Sequence, residues 1–230
     1  MRRNHPHITP IFELQPVPIR KLCRRVQIKL HRPVIICTQP DAAAIQAVDG
    51  VLSFAELDHI VSATAKSFHD AGISPGDVVA IALSDELAHI IASLGLARLG
   101  AGQIVFHGSD TSELRTGLAQ RLSIAATITH DASKAVTGAP VIAPPSGTLS
   151  ELRAMAEVPF APSDEPDLTL FYQRSSGTTG RSRLGRVTHE MMVARMQPLA
   201  HDGPSHKLLS LPHINFEGAK QNLYRYLLSG

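Results

Sequence analysis

Tryptophan is absent from this 230-residue sequence, and Phe and Tyr bring the aromatic share to only 4%. Leu, Ile, Val and Ala must therefore fill any core. The hydrophobic share of 43% and charged share of 18% are those of a soluble globular protein. Cysteine is nearly missing too: Cys23 and Cys37 make no CxxC pair and no disulfide-rich spacing, which excludes a disulfide scaffold and fits a reducing, cytoplasmic compartment. No apolar run approaches the length of a membrane span and no secretory pattern is present, so no membrane partner is expected. The twelve histidines are scattered. His189-Glu190 begins an HExxH pattern, but Val193 stands where its second His would be needed, so no metal-ligating set is expected.

Net charge is also small, +2, which argues against a general polyanion partner. Its distribution is uneven. Residues 1–33 hold eight Lys or Arg against one acid, Glu13, leaving the remainder net acidic. Three readings of this basic arm stay open. It is Arg-rich and acid-poor like an organelle transit peptide, yet it lacks Ser and is broken by Pro6, Pro10, Pro16 and Pro18. A nucleic-acid arm would interleave aromatic residues with its charges to stack bases, and none stands within the Arg and Lys cluster at 20–32. The expected reading is a solvated terminal segment.

What is present begins at Ser53. Ser53 and Glu56 make an S-x-x-E capping box, and Leu57, Ile60, Val61, Thr64, Ala65 and Phe68 follow at helical spacing up to a left-handed stop at Gly72. A turn over 73–77 leads to a short buried strand, Val78 to Leu83, and then to a helix from about Glu86 to Leu99. Gln103 to His107 reads as a strand, Ser112 to Leu122 as a helix and Ile124 to Thr129 as a strand. Such alternation predicts an α/β fold with a mainly parallel sheet layered with helices. The texture then changes: 132–167 is a Pro/Ala-rich connection with a short helix near Leu149–Ala156. Leu168 to Gln173 resumes as a strand, a helix begins near Thr188, a strand spans Lys207–Leu211, and a helix spans Glu217–Leu228. The expected organisation is a basic segment (1–47), a first α/β subdomain (48–131), the connection (132–167) and a phosphate-loop subdomain (168–230). Gly72-Ile73-Ser74-Pro75-Gly76 matches the esterase pattern G-x-S-x-G, but a helix precedes it and a strand follows, the reverse of a nucleophile elbow, so it reads as a turn.

The stretch that asks for chemistry is Tyr172-Gln173-Arg174-Ser175-Ser176-Gly177-Thr178-Thr179-Gly180-Arg181-Ser182-Arg183-Leu184. Four hydroxyl residues and two glycines fill six positions, followed by Arg181, Arg183 and Arg186. Glycines let successive N–H groups converge on an anion, hydroxyls add donors, and a following helix would add its positive end. Arg183 and its neighbours add charge in a form that can grip phosphate bidentately. A Walker loop is excluded: Gly180 to Gly185 has the spacing, but Arg186 and Val187 replace the Lys and the Ser/Thr that would hold magnesium.

This stretch resembles the signature of the adenylate-forming enzymes, which include acyl-CoA synthetases, nonribosomal-peptide adenylation domains and luciferases: aromatic-x-x-[ST]-S-G-[ST]-T-G-x-P-K-G, then His, here Thr188-His189. Leu52-Ser53-Phe54-Ala55-Glu56-Leu57, the turn Gly72 to Val79 and Leu99-Gly100-Ala101-Gly102 are similar to further family segments, so the resemblance covers about residues 48 to 230. It implies the front half of that family's large N-terminal domain. Its expected ligands are ATP and Mg2+, a carboxylic-acid substrate, and CoA, a carrier-protein thiol or an amine as acceptor. Ser175, Ser176, Gly177, Thr178, Thr179 and Gly180 would hold phosphates, with Arg183 as charge partner.

Three departures qualify that expectation. Ser182, Arg183 and Leu184 replace Pro-Lys-Gly, and Asn215 stands where Pro212-His213-Ile214-Asn215-Phe216-Glu217-Gly218 would carry the family's His. Gly230 falls before the family's adenine- and magnesium-binding segment, ribose-binding Asp, hinge and C-terminal catalytic Lys. The chain is therefore expected to be truncated and inactive alone, with a dimer or a complementing half-domain as partner. The alternative is a non-catalytic remnant that binds a phosphate ligand or a protein partner.

Overall fold

The structure is a computed structural model, and it describes residues 40–145, 147–161, 163, 165–174, 183–196, 214 and 217–229. Helix α1 (Phe54–Asp70) starts where the capping box predicts: Ser53 Oγ accepts from the Glu56 N–H at 3.2 Å, and Glu56 Oε2 accepts from the Ser53 N–H at 2.8 Å. It ends at Ala71, and Gly72 follows with φ +94°, the left-handed turn a side chain would resist. Helix α2 (Glu86–Leu99) is capped by Asp85 and buries nearly every residue from Ala88 onward. A helix apolar all round belongs inside, and α2 packs against both α1 and the sheet. The two helices approach closely at Gly95, where a Cβ would come within 2.6 Å of the Thr64 methyl. Helix α3 (Ser112–Leu122) matches its expected span, with Thr111 as N-cap.

Strands β3 (Val78–Ile81), β4 (Gly102–Val105), β5 (Ile124–Ile128), β6 (Val141–Ile142), β7 (Thr169–Arg174) and β8 (Leu184–Thr188) form one sheet in the order β6-β5-β3-β4-β7-β8. Every pairing is parallel except β7 with β8. Period-2 alternation sends Val79 and Ile81 toward α1 and α2, and Val78 and Ala80 toward α3 on the other face. The mainly parallel α/β layering expected from the sequence is observed.

Three local features differ from the sequence reading. That reading places regular structure only from Ser53, whereas Ala43–Ala47 (β1) and Gly50–Ser53 (β2) form an antiparallel hairpin outside the main sheet. The connection 132–167 supplies an unexpected strand, β6, beside the expected short helix, here α4 (Leu149–Arg153), whose Leu149 and Leu152 are fully buried. Thr148 gives α4 no side-chain cap; Asp49 in the β1–β2 turn accepts from the Leu149 N–H at 2.8 Å instead. The third concerns the hydroxyl-rich stretch. A strand, β8, follows it, and helix α5 (His189–Met196) begins only after that strand. Helix α6 (Glu217–Ser229) closes the chain as expected, while the expected strand Lys207–Leu211 lies outside the described residues.

Candidate site at the carboxyl edge of the sheet

Strands β3 to β7 all point the same way, so the segments leaving β3, β4, β5 and β7 gather at one edge. In open α/β sheets this is the edge at which ligands bind. The hydroxyl- and glycine-rich stretch leaves β7 there. Ser175, Ser176, Gly177, Thr178, Thr179 and Gly180 lie outside the described residues, but both ends of the stretch are placed: Arg174 and Leu184 are paired across the hairpin. Arg183, one residue before that pair, is exposed.

Two expectations about this stretch need correction. The N-terminal end of α5 does not directly follow it, because β8 carries the chain back and pairs Thr188 with Thr169, at the opposite end of the hairpin. Five strand residues separate the two by about 16 Å. Thr188 Oγ1 instead accepts from the Met191 N–H at 3.1 Å and caps α5 itself. The strand escapes a sequence reading because Leu-Gly-Arg-Val-Thr is short and interrupted by glycine. Second, Arg186 does not add charge to the stretch. Its guanidinium donates to Thr169 Oγ1 at 2.9 Å and to the Asp167 carbonyl, toward the foot of the hairpin.

Arg174, the last residue of β7, is already engaged. Its Nη1 donates to Asp110 Oδ2 at 2.5 Å, its Nη2 to Asp110 Oδ1 at 2.9 Å, and Nη1 also to the Val105 carbonyl at 3.3 Å. Asp110 Oδ2 accepts from the His107 N–H at 2.8 Å. Burial pushes the Asp110 carboxyl up, but the Arg174 fork and the His107 N–H outweigh it and hold it below the usual carboxylate range. Arg115 of α3 donates to the Asp110 carbonyl and to the Ser133 carbonyl, both at 3.0 Å, tying the segments after β4 and β5 together.

Behind this edge, α6 lays Lys220 and Tyr224 on β4 and β7. Lys220 Nζ donates to Gln103 Oε1 at 2.6 Å and lies 6.0 Å from the centre of the Phe171 ring, on which Tyr224 stacks. Burial pulls the Lys220 amine down from 10.5 to about 7 and pushes the Tyr224 phenol up. The Ile214 N–H meets Glu86 Oε1 at 3.2 Å, which sets the approach to α6 beside the start of α2. Neither Lys220 nor the Arg174–Asp110 pair is singled out by sequence reasoning. A lysine on the same helical stripe as Tyr224 and Leu227 is the signal that could have marked Lys220. Nothing local marks Asp110.

His189, at the start of α5, is half-buried; its ring Nε2 is shut off from solvent and meets no hydrogen-bond partner among the described residues. Burial lowers it from 6.5 to about 4. Among the described residues no group of three His, Cys, Asp or Glu could hold a metal ion, and no helix is long and apolar enough to cross a membrane.

Comparison with known proteins agrees with this architecture. The family described as AMP-binding enzyme matches residues 36–219. The nonribosomal peptide synthetase GRA1 of Gibberella zeae is 22% identical over 205 residues, covering 84% of this chain and 3% of that protein. The cyclochlorotine synthetase of Talaromyces islandicus is 27% identical over 202 residues, covering 83% and 4%. The chain thus spans only a few per cent of the length of these curated relatives. Among solved structures, apo MatB from Rhodopseudomonas palustris superposes with a TM-score of 0.71 at 20% identity, over 86% of this chain and 43% of that one. The N-terminal subdomain of Klebsiella oxytoca NpsA, in complex with 3-hydroxyanthranilyl-AMSN, superposes with a TM-score of 0.67 at 20% identity, over 83% and 48%. At these identities the two structures show the fold: that of the N-terminal domain of adenylate-forming enzymes.

Proposed function

The chain belongs to the AMP-binding enzyme family, and on that premise we propose that it carries the phosphate-handling part of an ATP-dependent acid-activating enzyme. In the reaction a carboxylate oxygen attacks the α-phosphorus of ATP. A new O–P bond forms as the bond to the bridging oxygen breaks, and pyrophosphate leaves with the electron pair. Most of the catalytic work in such a step is electrostatic stabilisation of the phosphates.

The observation that carries this reading is the position of the hydroxyl- and glycine-rich stretch. Its two ends are paired at Arg174 and Leu184, at the carboxyl edge of a mainly parallel sheet. Ser175, Ser176, Thr178 and Thr179 donate hydroxyls, Gly177 and Gly180 free backbone N–H groups, and all six grip the β- and γ-phosphates. Arg183 supplies the positive charge beside them. Among the described residues no group of three His, Cys, Asp or Glu could hold Mg2+. ATP binding is supported by the family and by the fold shared with ATP-bound MatB. The acyl group of the adenylate is then passed to a carrier-protein thiol, a thioester forming as the bond to the phosphate oxygen breaks and AMP leaves, a reading supported by similarity to the nonribosomal peptide synthetase GRA1.

The test is titration calorimetry of the whole chain with ATP and with pyrophosphate. Ser176→Ala and Arg183→Ala each remove a donor to a charged oxygen, worth about 1.5–3 kcal/mol, so each is expected to weaken binding about tenfold or more. Unchanged affinity in both variants would sink the reading and leave a non-catalytic role in its place.

A further inference from the structure

We propose that Arg174 and Asp110 are a positioning pair: a guanidinium–carboxylate fork that sets the end of β7, and with it the start of the phosphate-binding stretch, against the segment leaving β4. The inference rests on the function proposed above, and it assigns Arg174 a role opposite to the one its sequence neighbours suggest. An arginine directly before Ser175 invites reading as one more phosphate ligand.

The geometry argues otherwise. Both terminal nitrogens of Arg174 are engaged by the two oxygens of Asp110, and Nη1 also serves the last carbonyl of β4, that of Val105. Asp110 is itself immobilised: its carboxylate takes the His107 N–H and its carbonyl takes Arg115 of α3. Both partners are largely buried, with 16% of the Arg174 side chain and 6% of the Asp110 side chain exposed. Two planar groups meeting through two parallel bonds fix an orientation that a single contact leaves loose.

The fork stands where the sheet ladder no longer does the same work. The β4–β7 register pairs Gln103 with Phe171. Arg174 lies three residues beyond Phe171, past the last residue of β4, Val105. There the two chain directions are tied by side chains from a strand end and a turn. Arg174 is a positioning residue whose charge is neutralised by Asp110.

The two roles predict opposite signs for one substitution. Asp110→Asn leaves Arg174 and its packing in place but removes the neutralising charge. If Arg174 were a phosphate ligand, the variant would bind inorganic pyrophosphate more tightly than the natural chain. Under the positioning role it binds about tenfold more weakly. Arg174→Lys keeps the charge and loses the fork; it is expected to fall as far as Arg174→Gln, and the double variant Asp110→Asn/Arg174→Gln no further than either single one. Calorimetry with pyrophosphate and the unfolding midpoint are read on the same samples, so that a loss of fold is not mistaken for a loss of affinity. Tighter binding by Asp110→Asn, retained affinity in Arg174→Lys, or full additivity in the double variant overturns the proposal.

If the natural chain binds no pyrophosphate, the function proposed above falls, and amide hydrogen exchange then decides the pair separately. Asp110→Asn is expected to accelerate exchange over 175–182 while leaving β3 and β5 unchanged. No change over 175–182 overturns the positioning role by itself.

Discussion

Strands β3, β4 and β5 share one sheet with the hairpin β7–β8, yet different forces hold the two regions. The first is a continuous parallel ladder whose faces are covered by apolar side chains of α1 and α2 on one side and α3 on the other. Its helix starts are fixed locally, with Ser53 capping α1, Asp85 capping α2 and Thr111 capping α3, and a single buried arginine, Arg98, ties α2 to Asp58 and Ser62 of α1. The second region is tied by charged and polar side chains reaching across the fold. Arg174 holds Asp110, Arg186 holds Thr169 and Asp167, and the buried Lys220 holds Gln103. Burial of apolar area makes a stiff, non-directional platform, whereas forks and buried donors specify an orientation. The stretch proposed to hold phosphates belongs to the second region.

The contrast can be tested by removing the characteristic force from each region. The largest effect is expected from Leu96→Ala in α2, whose side chain is fully buried in the apolar platform. It should lower stability by about 2–5 kcal/mol in denaturant unfolding, since a cavity remains where the chain cannot collapse. A loss under 1 kcal/mol would mean that the platform does not rely on its packing.

Lys220→Met tests the second region with the opposite sign. Replacing the buried amine by a thioether of similar shape should stabilise the protein by about 1–4 kcal/mol at or below pH 7. The pH dependence follows from the amine falling from 10.5 to about 7 on folding. Between those values the unfolded chain holds a proton that the folded one lacks, so the stability of the natural chain rises with pH through this window. The advantage of the variant should therefore shrink from pH 7 toward 10.5. A constant advantage across that range would show that the amine is not the source.

His189, at the turn from β8 into α5, predicts a slope at the acid end. Its folded value of about 4 lies below the ordinary 6.5, so stability should fall as pH drops from 6.5 to 4, at most about 1.4 kcal/mol per pH unit. His189→Gln should flatten that part of the curve, and an unchanged slope would place its origin elsewhere. The smallest effect belongs to a local fixing point of the first region. Ser53→Ala removes one half of the capping box and should lower stability by about 1 kcal/mol. A loss as large as that of Leu96→Ala would erase the distinction between caps and core.

The two regions were also unequally legible. Helices α1, α2 and α3 and strands β3, β4 and β5 follow from apolar spacing and caps within a few residues, and their expected spans agree with the structure to within two residues at each end. Strand β7 and the start of α5 follow as readily, whereas β8 escapes because it has only five residues and carries a glycine, so its alternation is too brief to register. The β1–β2 hairpin escapes for a similar reason: the Ala-rich β1 gives almost no period-2 contrast, and β2 has only four residues.

By itself the sequence determined the alternation of strands and helices, the caps that start the helices, and a stretch whose residue types suit a phosphate. Tertiary structure decided where the arginines around that stretch are engaged. Arg174, Arg183 and Arg186 look alike in a chain of letters. One is forked to Asp110 from 64 positions away, one donates to residues at the foot of the hairpin, and one is exposed near its tip. The physical reason is range. Periodicity and capping are read between neighbours a few residues apart, whereas the partner of a guanidinium or a buried amine depends on the order of strands in the sheet. That order brings together residues separated by 64 or 117 positions.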